Sequence, residues 1–140
     1  MAGLLRTLIQ EEEYIIVNLL WEDKGMSFDN IRPEEIFRKK GNGQGLLIDL
    51  RERSEYRKEH IPGAICIPYG ELPGSIIRLK TWEKECKQRF GSAEIILYCD
   101  RGNTSIKAAR DLYNQGFQVK SVYGGISSYE GPKVRWKGNR

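Results

Sequence analysis

Apolar side chains recur along this chain in two rhythms. Leu46, Leu47, Ile48 and Leu50 form a run broken only by Asp49, and Ile95, Ile96, Leu97 and Tyr98 form a second. Such runs, without polar alternation, belong to strands covered on both faces, as in parallel sheets. Ile65, Cys66 and Ile67 predict a shorter strand, and residues 117–123 a last one. Between the runs the spacing changes to threes and fours. Ile76, Leu79, Trp82 and Cys86 draw one apolar stripe on a helix over 75–89, under an outer face rich in Lys and Arg. Ile106, Ala109 and Leu112 do the same over about 105–115, and Gly116 supplies a left-handed stop.

Turn signals complete the pattern. Pro33, Glu34 and Glu35 open a short helix through Phe37 and Lys39, which Gly41, Gly43 and Gly45 end. Residues 54–60 predict one or two helical turns capped by Ser54 and stopped before Pro62 and Gly63. Strands alternating with helices predict an α/β fold, an open and mostly parallel sheet flanked by helices on both faces. Such sheets take up ligands at the carboxyl ends of their strands. The chain divides into an N-terminal appendage (1–25), a domain (26–131) and a basic C-terminal tail (132–140). Within the appendage the dense apolar run 14–21 leans to helix.

Composition narrows the class. The 140 residues fit one domain, and 39% apolar residues with 15 glycines can build a core and many turns, which excludes wholesale disorder. No apolar run approaches the roughly 20 residues of a membrane span, and the opening MAGLLRTLIQEEE is too acidic too early for a secretory signal, so the expected location is the cytoplasm. Three cysteines without CxxC spacing argue against a disulfide framework or a zinc site, and no metal is expected. The net charge of +4 combines an acidic first 30 residues with a tail holding Lys133, Arg135, Lys137 and Arg140. Four charges form no extended stripe, so the tail is read as a solvated, frayed terminus and nucleic acid is not expected as a partner.

The segment CDRGNTS carries the chemistry. It places Cys99 at the end of a buried strand, in a loop of Asp100, Arg101, Gly102, Asn103 and Thr104 that enters a helix at Ser105. Backbone N–H groups converge there and the helix dipole favours negative charge, so the site suits a thiolate and an anionic substrate or adduct. Gly102 lets the main chain curl around the sulfur. His60, the one histidine, lies in HIPGA away from the loop and is expected to be structural. Asp49 and Arg51 end the first strand near the same sheet edge, where a carboxylate could accept loop N–H groups in an architectural role. Cys66 and Cys86 are expected to be packed thiols, and Trp82 and Tyr69 packing residues.

With this loop the chain resembles the single-domain rhodanese family from about Phe28 to Tyr129. LIDLRE at 47–52, EHIPGAICIPYGEL at 59–72 and VYGGISSY at 122–129 follow the family's order. The resemblance implies that Cys99 accepts sulfane sulfur, becomes a persulfide and passes the sulfur to a thiol or cyanide, with the backbone of Asp100 to Ser105 as its cradle. No cofactor beyond the covalent persulfide is implied. The implied partners are a small-molecule or protein sulfur donor and a thiol acceptor.

The loop departs from its relatives. Many single-domain rhodaneses end it with Arg where this chain has Thr104, and tandem-domain members that cleave thiosulfate place two bases after the cysteine, where this chain has Asp100 and Arg101. With Arg101 either facing the donor or pairing with Asp100, the loop is about neutral, and discrimination for dianionic thiosulfate should be weak. A cysteine phosphatase or arsenate reductase would want Arg six residues after the cysteine, and that position is Ser105. The rival of another class is a rhodanese-fold interaction or regulatory module with an incidental thiol.

Overall fold

A computed structural model describes residues 29–40 and 43–138, so the expected appendage helix lies outside the described residues. The elements run β1 (Asp29–Ile31), a 3-10 turn (Pro33–Glu35), α1 (Ile36–Lys40), β2 (Gly45–Asp49), α2 (Arg53–Lys58) and β3 (Ile65–Cys66). After two 3-10 turns, Tyr69–Glu71 and Pro73–Ser75, come α3 (Ile76–Phe90), β4 (Glu94–Tyr98), α4 (Asn103–Asn114), β5 (Val119–Val122) and a 3-10 turn at Gly125–Ser128. The strands form one five-stranded sheet in the order β1-β5-β4-β2-β3, and every pairing is parallel.

Alternation along the central strands explains the two layers. Ile48, Ile95, Leu97 and Val119 point to one face and pack with Leu79 of α3 and Ala108, Ala109 and Leu112 of α4. Leu47, Ile96, Tyr98 and Val122 point to the other, against Ile36 of α1, Ile61 and the half-buried Tyr56 of α2. With both faces covered, β2 and β4 must be apolar at successive positions, which accounts for their runs. The order also makes a switch point. From β2 the chain moves outward to β3, whereas from β4 it moves the other way to β5, so the loops after β2 and β4 diverge and leave a crevice.

One strand is added and two expectations are corrected. Asp29, Asn30 and Ile31 form an edge strand that no apolar run announces; it is held by parallel pairing to β5 and by Lys120, which lies 3.2 Å from Asp29 and 3.4 Å from Glu94. Ser54 does not cap α2: the helix starts one residue earlier, with Glu52 in the capping position making no side-chain bond, and the N–H groups of Glu55 and Tyr56 donate to the Glu52 carbonyl. The tail is not frayed through residue 138. Val134 exchanges two 2.9 Å main-chain bonds with His60, the Trp136 N–H donates to the Arg57 carbonyl, and the Arg57 guanidinium lies 5.0 Å over the Trp136 ring. Among the described residues no helix is long and apolar enough to cross a membrane.

Candidate functional site

β4 ends at Tyr98, and Cys99 follows as the first loop residue, 4% exposed. Gly102 takes φ +102° at the entrance to α4, a left-handed turn that aims the following amides back at the sulfur. The N–H of Gly102 donates to Cys99 Sγ at 3.1 Å and that of Ser105 at 3.3 Å. The loop carbonyls are held elsewhere: Ile126 N–H donates to the Cys99 carbonyl at 2.9 Å and Ser127 N–H to the Asp100 carbonyl at 3.0 Å. The 3-10 turn therefore clips the acceptors outward and leaves donors facing the thiol. Gly125 permits that clip, because a Cβ on it would lie 2.6 Å from the carbonyl carbon of Asp100.

Beneath the loop Ser105 is fully buried, its Oγ 3.6 Å from Cys99 Sγ. That hydroxyl donates to the Gly102 carbonyl at 3.1 Å and shares a 2.8 Å hydrogen bond with Ser121 of β5. Ser105 stands six residues after Cys99, where a cysteine phosphatase would carry the arginine that grips its oxyanion.

Asp49 and Arg51 serve the architecture, though not by the route expected. Asp49, fully buried, accepts the Arg51 N–H at 2.9 Å and grips its guanidinium at 2.9–3.2 Å, so it binds its own strand end and not the CDRGNTS loop. Arg51 Nη2 also donates to the Glu59 carbonyl at 2.7 Å, tying the end of β2 to the end of α2. Tyr98 lies against the same carboxylate and accepts the Ile61 N–H at 3.1 Å; burial first and Asp49 next push its phenol far above the ordinary range.

A cavity of about 690 Å³ opens over Cys99, lined by Leu50, Arg51, Glu52, Glu55, Tyr69, Asp100, Arg101, Asn103, Thr104 and Ser127. Of the expected site residues, Asp100, Arg101, Asn103 and Thr104 line it, while Gly102 and Ser105 act from behind through their amides. Asp100 does not pair with Arg101; its carboxylate faces Arg51 Nη1 at 4.0 Å. Tyr69 is a rim residue, 38% exposed, and not a packing residue. Glu52, Glu55 and Ser127 come from elements that converge only in the fold, and only their positions just after the end of β2 and of VYGG hinted at the site.

The remaining candidates fall outside the cavity. His60 is buried, stacked on Tyr56 with centroids 3.8 Å apart, and its Nδ1 lies 2.8 Å from the Tyr56 carbonyl. Cys66 sits on edge strand β3 in a separate cavity beside Arg53 and Trp82, and burial pushes its thiol up to about 11. Cys86 is buried on α3 with its thiol 3.2 Å from the Ser92 carbonyl, and burial raises it too. Among the described residues no cluster of three His, Cys, Asp or Glu side chains could hold a metal ion.

Comparison with known proteins places this arrangement. The chain is 36% identical over 86 residues to the candidate sulfur carrier protein YrkF of Bacillus subtilis (strain 168), covering 61% of this chain and 41% of that one. It is 34% identical over 85 residues to the chloroplastic thiosulfate sulfurtransferase 16 of Arabidopsis thaliana, covering 59% and 71%. Other relatives are named tRNA uridine(34) hydroxylases. Crystalline reduced CoADR-RHD of Bacillus anthracis superposes with a TM-score of 0.56 at 34% identity, over 73% of this chain and 16% of that one. The chain thus spans less than half of YrkF and a small part of CoADR-RHD. The model of the rhodanese-like domain matches residues 33–131, from the first 3-10 turn to the turn that clips the Cys99 loop, and the chain belongs to that family.

Proposed function

We propose that this protein is a sulfurtransferase that carries sulfane sulfur as a persulfide on Cys99. The observation that carries the reading is the pair of main-chain donors, Gly102 and Ser105, aimed at Cys99 Sγ at the floor of an open cavity. Such donors stabilise a sulfur anion without a general base, which fits a site from which His60 is absent. The Cys99 thiolate attacks the sulfane sulfur of a donor; a new S–S bond forms, the donor's own bond to that sulfur breaks, and the leaving group departs with the electron pair. An acceptor thiolate or cyanide then attacks the outer sulfur and Cys99 leaves as the thiolate. Neither step needs a metal or an organic cofactor. The names of the Arabidopsis and Bacillus subtilis relatives agree with this chemistry.

Intact-mass measurement after incubation with a sulfane donor tests the reading. One added sulfur on the wild-type chain, lost on adding cyanide and never gained by Cys99→Ser, is the expected result. Sulfur that never appears, or that appears equally in Cys99→Ser, would turn the assignment toward an interaction module.

A further inference from the structure

The mouth of the cavity has a charge balance that differs from its floor. Glu52, Glu55 and Asp100 bring three carboxylates to it, against the guanidinium groups of Arg51 and Arg101. Arg51 is already engaged: Asp49 grips it along one edge and the Glu59 carbonyl takes a further N–H, so a buried carboxylate offsets its charge. Arg53, adjacent to Glu52 in sequence, is drawn away into an ion pair with Glu71, its Nη2 2.8 Å from Oε1. Among the described residues neither Glu52 nor Glu55 has an ion-pair partner within 4 Å. Their spacing of three at the start of α2 places them on the same side of the helix, the side that lines the cavity. Among the described residues Arg101 is thus the one cation lining the mouth that is not committed elsewhere.

We propose that this mouth selects sulfur donors that carry a positive charge beside the sulfane sulfur, with Glu52 and Glu55 as the specificity-determining residues and Asp100 assisting. The proposal rests on the reading of Cys99 as the sulfur carrier. The reacting sulfur descends to the amide donors, while the substituent that carries it stays at the rim, among Glu52, Glu55, Asp100 and the exposed ring of Tyr69. An ammonium or guanidinium there meets carboxylates and an aromatic face, both of which attract cations. A dianion such as thiosulfate meets the same carboxylates as repulsion. The preferred substrate class is a persulfide on a cationic small molecule or on a protein segment with basic residues around its cysteine.

The experiment compares three donors that share the persulfide group and differ in the charge next to it: the persulfides of cysteamine, N-acetylcysteamine and 3-mercaptopropionate. The second-order rate of sulfur loading onto Cys99 is followed by intact mass in wild type and in the Glu52→Gln/Glu55→Gln double variant. In wild type at low salt the cationic donor should load at least about tenfold faster than the anionic one. The double variant should shrink that ratio about tenfold, and so should high salt, since charges at an open mouth are screened. Taking a ratio cancels any general loss of reactivity in the variant. Equal rates for the three donors, or a ratio the double variant leaves unchanged, would overturn the selection while sulfur loading itself stands. Failure of all three donors to load Cys99 would overturn the carrier reading and the selection together.

Discussion

Three thiols in one small chain meet three different environments. Cys99 faces two amide donors at an open cavity, Cys86 is packed under α3, and Cys66 lies half-buried at a sheet edge with its thiol 3.6 Å from the Arg51 carbonyl. For Cys66 burial is the largest influence and the nearby Asp49 carboxylate the next, and together they hold the thiol protonated up to about 11. Only the thiolate is nucleophilic, so at pH 8 roughly one Cys66 in a thousand is reactive, against about a quarter for a free thiol near 8.5. Iodoacetamide labelling of Cys66 in the Cys99→Ser variant should therefore run on the order of a hundredfold slower than for a free thiol at pH 8. It should climb about tenfold per pH unit towards 11. A labelling midpoint near 8.5, read by peptide mass, would show that Cys66 is free to serve as a second sulfur acceptor.

The element that shapes the site is not the one that carries the cysteine. The turn at Gly125–Ser128 takes the two carbonyls of the Cys99 loop, and it can approach so closely because Gly124 and Gly125 both have positive φ, +73° and +61°. The two glycines differ in what a methyl would strike. On Gly124 it would lie 2.7 Å from Ser128 Cβ, which no side-chain rotation clears, so the far end of the turn must shift, whereas on Gly125 it would meet the backbone of Cys99 and Asp100, which cannot move without re-aiming the amides. Both substitutions force alanine into a left-handed conformation, a shared cost of about 1 kcal/mol. Gly125→Ala should add a further loss, giving about 2–4 kcal/mol in total, and should slow sulfur loading at least tenfold. Gly124→Ala should also lose more than the shared cost but should slow sulfur loading far less, because the strain falls on Ser128 and not on the Cys99 loop. Loading rates of the two variants, read beside their denaturant melts, check this, and equal slowing of the pair would show that the clip does not set the loop.

At the scale of the whole molecule, what was legible in the sequence was whatever local pattern writes down. β2, β4, α3 and α4 announce themselves because each buries a stripe or both faces, and CDRGNTS is contiguous. β1 and the tail are held by main-chain pairing and by single contacts such as Lys120 with Asp29 or Arg57 with Trp136, which leave no periodic trace. The carboxylate half of the cavity was hidden for a related reason: Glu52 and Glu55 meet Asp100 only because β2 and β4 are neighbours whose loops diverge.

That arrangement makes α2 the least anchored wall of the site. It buries no residue completely, and it is secured by half-buried Tyr56, whose hydroxyl donates to the Ala64 carbonyl at 2.7 Å, by the Arg51 bond to Glu59, and by the returning tail. Trp136 contributes a main-chain bond to the Arg57 carbonyl and a ring under its guanidinium. Trp136→Ala removes the ring, and an exposed cation–π contact with its packing is worth about 0.5–1 kcal/mol. The melting temperature should fall by only a few degrees. The local effect should be larger than the global one, because amides bonded across a single bridge open separately from the core. Hydrogen exchange at Val134, at His60 and at the amide of position 136 should speed up at least several-fold, while Ile96 and Leu97 in β4 stay protected. Unchanged exchange at the bridge would mean that Val134 and His60 hold the tail without the tryptophan, and that α2 owes its position to Tyr56 and Arg51.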